Sequence, residues 1–373
     1  MYLQKLTATN FKNYPEVSLD FSDKINCFIG DNGVGKTNIL DAIHYLSFCK
    51  SYFNPADYQN IKHSENFFAI HGIYVKNGGQ TDKISCVQRL HLKKEFRINQ
   101  KEYERLSDHI GLFPLVMISP YDRDLINEGS EVRRRYLDGV ISQFDKFYLD
   151  DLINYNKALA QRNALLKKYA DSNTFQYSNV EIWDKSLTET GHRIFEKRKE
   201  FLKNFAPIFQ KYFDFISGDY EKVSIRYESQ LEQQGLDELL AVSFDKDRIS
   251  RFTNAGIHKD DLIFNIDRYP LKKFGSQGQQ KSFVIAVKLA QFEYTKDLKG
   301  FKPVLLFDDI FDKLDGKRVH QLIRLVSENS FRQVFITDTE RSRIEKLFEK
   351  VDISHRIFEI KDDKAEEVKI VGL

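Results

Sequence analysis

Gly30-Asp31-Asn32-Gly33-Val34-Gly35-Lys36-Thr37 has the spacing G-x-x-x-x-G-K-[ST], and its flanks decide how it reads. Ile25-Asn26-Cys27-Phe28-Ile29 before it is short, apolar and β-prone. Asn38-Ile39-Leu40-Asp41-Ala42-Ile43-His44-Tyr45-Leu46 after it repeats apolar residues at helical spacing. Strand, glycine loop and helix together are the context in which this spacing makes a phosphate-binding loop. The glycines let backbone N–H groups wrap a triphosphate, and the helix N-terminus adds positive potential. Lys36 is expected to reach the β and γ phosphates of ATP. Thr37 is expected to hold Mg²⁺ through its hydroxyl. The expected nucleotide-binding stretch is Gly30, Asp31, Asn32, Gly33, Val34, Gly35, Lys36, Thr37 and Asn38. The competing reading is a glycine turn that binds nothing.

Such a loop needs a second acidic partner for the metal. Lys302-Pro303-Val304-Leu305-Leu306-Phe307-Asp308-Asp309 supplies one. Pro303 to Phe307 reads as a buried parallel strand with Asp308 at its carboxyl end, where ligand groups sit in open α/β sheets. Asp308 is expected to bind Mg²⁺, and Asp309 to polarise the attacking water as the catalytic carboxylate. Two adjacent carboxylates repel unless a cation or a proton offsets them, which favours a functional reading.

The chain has 373 residues, 30% charged and 41% hydrophobic, in the range of globular proteins. No run approaches the roughly 18 apolar residues of a membrane helix, and the first residues lack a signal-peptide pattern. Cys27, Cys49 and Cys86 show no C-x-x-C pairing, and we expect them reduced, in a cytoplasmic protein. The net charge is only +2, so any nucleic-acid surface must be a local patch.

Taken in order, residues 2 to 29 alternate like β structure and lead into the glycine loop and its helix. Further strands are expected at Phe67 to Val75, Lys83 to Leu92 and Pro114 to Ile118, with Asn77-Gly78 as a hairpin signal. From about 130 to 216 the pattern is helical. Val140, Phe144, Phe147, Tyr148, Leu152, Tyr155 and Leu159 form one stripe, and Trp183, Leu187, Gly191, Ile194 and Phe195 a second. Two long helices joined by the polar segment 169–179 read as an antiparallel arm, against the alternative that they belong to the core. After residue 220 strands return, at Lys222 to Tyr227, Leu262 to Ile266 and Gln333 to Thr337, with a long helix from Lys281 to about Thr295. The expectation is an α/β fold: a head with mixed β-sheets and the phosphate loop, plus an α-helical arm domain. Expected boundaries are 1–120 for the N-terminal lobe, 121–218 for the arm and 219–373 for the C-terminal part of the head.

Phe274-Gly275-Ser276-Gln277-Gly278-Gln279-Gln280 precedes that long helix. Its N–H groups, with Ser276, Gly278 and Gln279, would make a second anion site. One nucleotide does not need two cradles in one subunit. A two-subunit sandwich explains the surplus: Ser276 of one chain caps the γ-phosphate held by Lys36 of another. An ordinary Ser-Gln helix cap is the alternative.

Four features together resemble the RecF family of DNA replication and repair proteins. They are the glycine loop, Ser276-Gln277-Gly278-Gln279-Gln280, Leu306-Phe307-Asp308-Asp309, and the early Leu6–Tyr14 stretch with Phe11-Lys12-Asn13-Tyr14. Lys50-Ser51, Arg133-Arg134-Arg135-Tyr136-Leu137-Asp138, Gln161-Arg162-Asn163-Ala164-Leu165-Leu166 and Gly256-Ile257-His258-Lys259-Asp260-Asp261 extend the likeness over nearly the whole chain. Departures are Ile257 where the family usually has Pro, Lys259 for Arg, and Asp312-Lys313 where Ser-Glu is usual, before Leu314-Asp315. Asp309 fills a position that is glutamate in many ABC ATPases. The resemblance implies an ABC-type ATPase head related to SMC heads. It implies ATP-dependent homodimerisation, slow hydrolysis, and binding of double-stranded DNA or a gapped junction with RecR and RecO.

Three further clusters carry two readings each. His258 with Asp260 and Asp261 is a metal cluster or a polar loop, and its spacing fits no standard zinc pattern. Arg133-Arg134-Arg135 touches DNA phosphates or pairs with carboxylates inside the fold. The Arg193–Lys199 run is a DNA contact or a solvated helix face. A transporter-type or nuclease-linked ABC ATPase is the competing function class. The helical arm and the Leu6–Tyr14 pattern argue against the transporter. The short stretch after Thr337 argues against a nuclease domain there.

Overall fold

The computed structural model describes residues 1–373 except 77, 173–176, 219–220, 312–315, 328–329, 349–353 and 369–373. Asn77 of the hairpin signal and Asp312-Lys313-Leu314-Asp315 therefore lie outside the described residues. The chain begins with strands β1 (Tyr2–Phe11), β2 (Tyr14–Asp20) and β3 (Ile25–Ile29), then helix α1 (Lys36–Phe48). Strands β4 (Phe67–Val75), β5 (Thr81–Arg89), β6 (Glu95–Ile98), β7 (Lys101–Glu102) and β8 (Leu115–Ile118) follow. Next come helices α2 (Asp124–Asn127), α3 (Ser130–Ile141), α4 (Lys146–Ser172) and α5 (Tyr177–Ser217). Strand β9 (Val223–Glu228), helix α6 (Leu236–Ser250), strands β10 (Asp261–Ile266) and β11 (Tyr269–Pro270), and helices α7 (Leu271–Phe274) and α8 (Gln277–Lys299) complete the middle. The chain then runs through β12 (Val304–Phe307), α9 (Gly316–Ser327), β13 (Gln333–Asp338), α10 (Arg341–Phe348), β14 (His355–Lys361) and β15 (Lys364–Val368).

Two compact units result. The first holds residues 1–122, 215–217 and 285–373; the second holds 123–214 and 218–284. The first unit contains two six-stranded sheets, in the orders β2-β1-β4-β5-β6-β7 and β15-β14-β3-β13-β12-β8. Every pairing in the former is antiparallel. In the latter, β14, β3, β13, β12 and β8 run parallel and only β15 reverses. That is why β3, β8 and β12 read as unbroken apolar runs: a parallel sheet is covered on both faces, and all residues of these three strands are buried. Apolar residues of both sheets and of α1 share one core. Phe21, just past β2, sits edge-on to Phe335 of β13 at 4.9 Å and to Phe358 of β14 at 5.9 Å. Such pairs add to the burial of their area.

The second unit carries α2, α3, α4, most of α5, α6, α7 and the start of α8, with the small sheet β11-β10-β9. Residues 219–284, which the sequence reading assigns to the start of the C-terminal head segment, cluster here instead, with β10 against α3 and α6 against α4. The expected two-helix arm is three helices. The stripe from Val140 to Leu159 is broken where Asp145 caps α4, its Oδ1 accepting the Tyr148 N–H at 2.9 Å. Phe147, counted in that stripe, is 86% exposed in the first turn of α4. Helix α5 continues through Pro207 to Ser217. α8 starts at Gln277, four residues before the expected Lys281.

Candidate functional site

The site grows from the carboxyl ends of three neighbouring parallel strands. β13 lies between β3 and β12, with Asp338 opposite Ile29 and Ile336 opposite Phe307. The glycine loop leaves β3, Asp308 leaves β12, and Thr337 ends between them. Thr37 Oγ1 donates to Asp308 Oδ1 at 2.8 Å, joining residues 271 apart in sequence. Thr337 Oγ1 donates to the same oxygen at 2.9 Å and accepts the Asp309 N–H at 2.8 Å. Asp309 takes a left-handed backbone, φ 46°, which Asp tolerates better than most residues. The sequence reading places Thr37, Asp308 and Asp309 together, and they are together. Thr337 was read only as the end of a buried strand. A hydroxyl at the carboxyl end of a central parallel strand was the available signal.

The loop is braced from behind by the turn between β1 and β2. Asn13 Nδ2 donates to Val34 O at 3.2 Å, and Asn13 Oδ1 accepts from Asn38 Nδ2 at 2.6 Å. Tyr14 O–H donates to Gly35 O at 3.2 Å. Asp363, in the β14–β15 turn, accepts from Asn13 Nδ2 at 2.7 Å. Gly35 has φ 107°, and a Cβ there would lie 2.4 Å from Asn13 Nδ2 and 2.9 Å from the Tyr14 hydroxyl. Only glycine satisfies both constraints. The Phe11–Tyr14 stretch, noticed only through family likeness, thus has a physical task. So has Lys50-Ser51. Ser51 Oγ donates to Asp41 Oδ2 at 2.6 Å, Tyr52 N–H donates to Oδ1 at 2.7 Å, and Lys12 Nζ pairs with Oδ2 at 2.6 Å. Asp41 is fully buried on α1, so two distant stretches are pinned to the helix that follows the loop.

Lys36 is buried, and its Nζ donates to Gly30 O and Asp31 O, both at 2.7 Å. Burial pulls its pKa down, against the pull of Asp309, Asp308, Asp338 and Asp31. Burial pushes the Asp308 carboxyl up, against its bonds from Thr37 and Thr337, and Asp309 pushes the same way. Burial thus pushes both groups toward their neutral forms. Thr37 and Asp308 offer two hard oxygens in contact, the donor chemistry of a small divalent cation. Loop N–H groups and Lys36 offer an anion cradle.

Ser276, Gly278 and Gln279 belong to the second unit, where they open α8. The helix-cap reading is realised: Gln279 N–H donates to Ser276 Oγ at 3.2 Å, and Ser276 N–H to Gln279 Oε1 at 2.6 Å. This reciprocal pair is a capping box. It leaves Ser276 exposed.

In the other charged motifs Arg133, Arg134, Arg162 and Arg198 turn inward, while Arg135 stays exposed and pairs with Glu131 at 2.7 Å. Arg133 clasps Asp261 with two bonds of 2.6 and 3.0 Å, and Arg134 donates to Asp260 O at 2.6 Å. Arg198 is only 1% exposed and bonds Asp138 at 2.8 Å and Asp260 at 2.9 Å, so the Arg193–Lys199 run is not one solvated face. Arg162 bonds Asp184 at 2.5 Å and Asp247 at 2.6 Å and is fully buried. His258 is no metal ligand. Its Nε2–H donates to Thr253 O at 3.1 Å, so Nδ1 accepts from Tyr155 O–H at 2.8 Å. Burial lowers its pKa to about 4. Among the described residues no cluster of His, Cys, Asp and Glu could hold a metal by itself, and no helix is long and apolar enough to cross a membrane.

Comparison with known proteins gives the same direction. The family profile of the RecF/RecN/SMC N terminal domain matches residues 2–363. The chain is 52% identical over 360 residues to the DNA replication and repair protein RecF of Flavobacterium johnsoniae, covering 96% of this chain and 100% of that one. It is 48% identical to RecF of Phocaeicola vulgatus, over 99% of both. Among solved structures, the recombination mediator protein RecF with ATP, in the RecFOR pathway, superposes with a TM-score of 0.89 at 30% identity, covering 99% of this chain and 98% of that one. An SMC head bound to the C-terminal winged-helix domain of ScpA is similar in fold, with a TM-score of 0.56 at 15% identity over 99% of this chain and 98% of that one.

Proposed function

The chain belongs to the RecF family of DNA replication and repair proteins, and from that premise we propose an ATP-switched DNA-binding protein whose slow hydrolysis times its release. The observation that carries this reading is the Thr37–Asp308 hydrogen bond, reinforced by Thr337. It brings the glycine loop and the acidic strand end, 271 residues apart in sequence, into contact.

ATP enters with its phosphates along Gly30–Asn38. Lys36 exchanges its bonds to Gly30 O and Asp31 O for the β and γ phosphate oxygens. Mg²⁺, which Thr37 and Asp308 would hold, supplies positive charge that offsets the phosphates and the Asp308–Asp309 repulsion. Asp309 accepts a proton from the attacking water, its main chain fixed by the bond to Thr337. Ser276, Gly278 and Gln279 of a second copy cap the γ-phosphate, so ATP joins two chains. The pair then binds double-stranded or gapped DNA with RecR- and RecO-like partners. A near-neutral chain suits this order of events, since pairing two copies doubles the basic residues one duplex can meet, and phosphate contacts dominate affinity.

Asp309→Asn tests the reading. The amide keeps the size of the carboxylate but cannot take the proton. ATP binding survives, single-turnover hydrolysis falls about 10²–10⁴-fold, and the DNA complex outlives that of the parent. Hydrolysis at the parental rate would place the base elsewhere. Slow hydrolysis with parental DNA release would mean that hydrolysis is not the timer.

A further inference from the structure

The capping box at the start of α8 has a third member that its sequence motif does not contain. Gln279 Nε2 donates to Glu221 Oε1 at 2.5 Å. Glu221 lies 58 residues earlier, just ahead of β9. Its segment is clamped from α5: Gln210 Nε2 donates to Glu221 O at 3.2 Å, and Gln210 Oε1 accepts the Val223 N–H at 3.0 Å.

The Gln279 amide therefore sits between a carboxylate and a backbone N–H. A carboxylate can only accept, and an N–H can only donate. Of the two ways the amide could face, one satisfies both neighbours: NH₂ toward Glu221, carbonyl toward Ser276 N–H. Closing the box this way has a consequence for Ser276. One lone pair of its oxygen takes the Gln279 N–H, which leaves its hydroxyl hydrogen to donate elsewhere. A capped serine and a phosphate-donating serine are then the same serine.

Stability alone accounts poorly for Glu221. Its Oε2 is enclosed and has no hydrogen-bond partner among the described residues. Enclosing an acceptor without a partner costs about 1–3 kcal/mol, and one hydrogen bond to a charged group returns about 1.5–3, so the two nearly cancel and Glu221 adds little net stability.

We propose that Glu221 is a positioning residue for the Ser276–Gln280 segment. By fixing the Gln279 amide it presents the Ser276 hydroxyl as a donor to an anionic oxygen brought by a second copy of the chain, the nucleotide's γ-phosphate. This rests on the two-subunit reading given above.

The test uses the full chain with Glu221→Ala, Glu221→Gln, Gln279→Leu, the double variant Glu221→Ala/Gln279→Leu, and Ser276→Arg. Three quantities are read: ATP affinity at concentrations where the chain is monomeric, ATP-dependent self-association by sedimentation, and thermal midpoint. Glu221→Ala is expected to keep ATP affinity and the thermal midpoint, and to weaken association about tenfold, the worth of one charged hydrogen bond. Glu221→Gln is expected to restore association, since its carbonyl can still accept from Gln279. In the Gln279→Leu background Glu221→Ala is expected to add nothing. The proposal is overturned if Glu221→Ala associates like the parent while Gln279→Leu and Ser276→Arg do not, if its effect adds to that of Gln279→Leu, or if it lowers the thermal midpoint by enough to explain the loss. Parental association by Ser276→Arg would instead remove the two-subunit reading beneath it.

Discussion

Lys36 and Arg198 are both cations taken out of water, and their surroundings drive them in opposite directions. Lys36 of the first unit is held by two backbone carbonyls, and burial pulls its pKa down. Arg198 of the second unit faces the same burial, but Tyr148, Asp138, Tyr227 and Asp260 outweigh it and hold its pKa well above the ordinary value. Among the described residues the first cation has no carboxylate in bonding contact, whereas the second has two. A cation whose burial outweighs the carboxylates around it is a candidate functional group. Burial with the charge already present is scaffolding, fixed by geometry and costly to break on one side. Both regions drew attention through charged motifs, and only the partners distinguish them.

The widest separation between the two comes from removing each cation. Arg198→Met leaves Asp138 and Asp260 without their shared partner and should destabilise the chain by about 3–5 kcal/mol, read as a shifted urea midpoint. Lys36→Ala should change that midpoint by no more than about 1 kcal/mol and yet abolish tight binding of a fluorescent ATP analogue. If both variants lose stability alike, Lys36 is scaffolding too. If Arg198→Met is as stable as the parent, the contrast drawn from partners fails.

A smaller and more diffuse effect follows from three neutral histidines. Burial lowers His44, His109 and His258 from 6.5 to about 4. In the fold they stay neutral; unfolded, they take a proton below about pH 6.5. The unfolded chain thus binds more protons between pH 6.5 and 4, so stability falls as pH drops through that window, by up to about 3 kcal/mol per histidine. Asp260 and Asp184, which burial pushes up, hold protons more readily folded and oppose the trend. Urea midpoints at pH 7, 6 and 5 should decline in order. A flat series would mean that these rings are reached by water.

The legible parts of the sequence were those with local causes. The glycine loop could be read because strand, turn and helix are contiguous, and β12 because a buried parallel strand is an unbroken apolar run. Asp308 was placed by the strand end it occupies. What could not be read depends on residues far apart. The strand end marks Thr337 as a candidate, but nothing near it names Asp308 as its partner. Nothing near Asn13 announces Asp363, 350 positions away. The break before α4 hid because Asp145 interrupts a stripe whose apolar period continues across it. The inward turn of Arg133, Arg162 and Arg198 was equally hidden, since a buried arginine and a phosphate-binding arginine have the same local sequence. Helix α8 was read four residues short because glycine and serine suggested a loop where they form its cap.

The central claim is that the Lys36 cradle of one chain and Ser276 of another complete one nucleotide site. Lys36→Ala lacks the cradle's cation, and Ser276→Arg blocks the cap. Neither variant alone should self-associate with ATP. Mixed, they can form one intact composite site per pair, with Lys36 from the Ser276→Arg chain and Ser276 from the Lys36→Ala chain. Sedimentation of differently labelled variants with ATP should therefore show a heterodimer that is absent from either alone and lost without nucleotide. A mixture that stays monomeric with ATP, or a Ser276→Arg chain that pairs with itself as the parent does, would contradict the account.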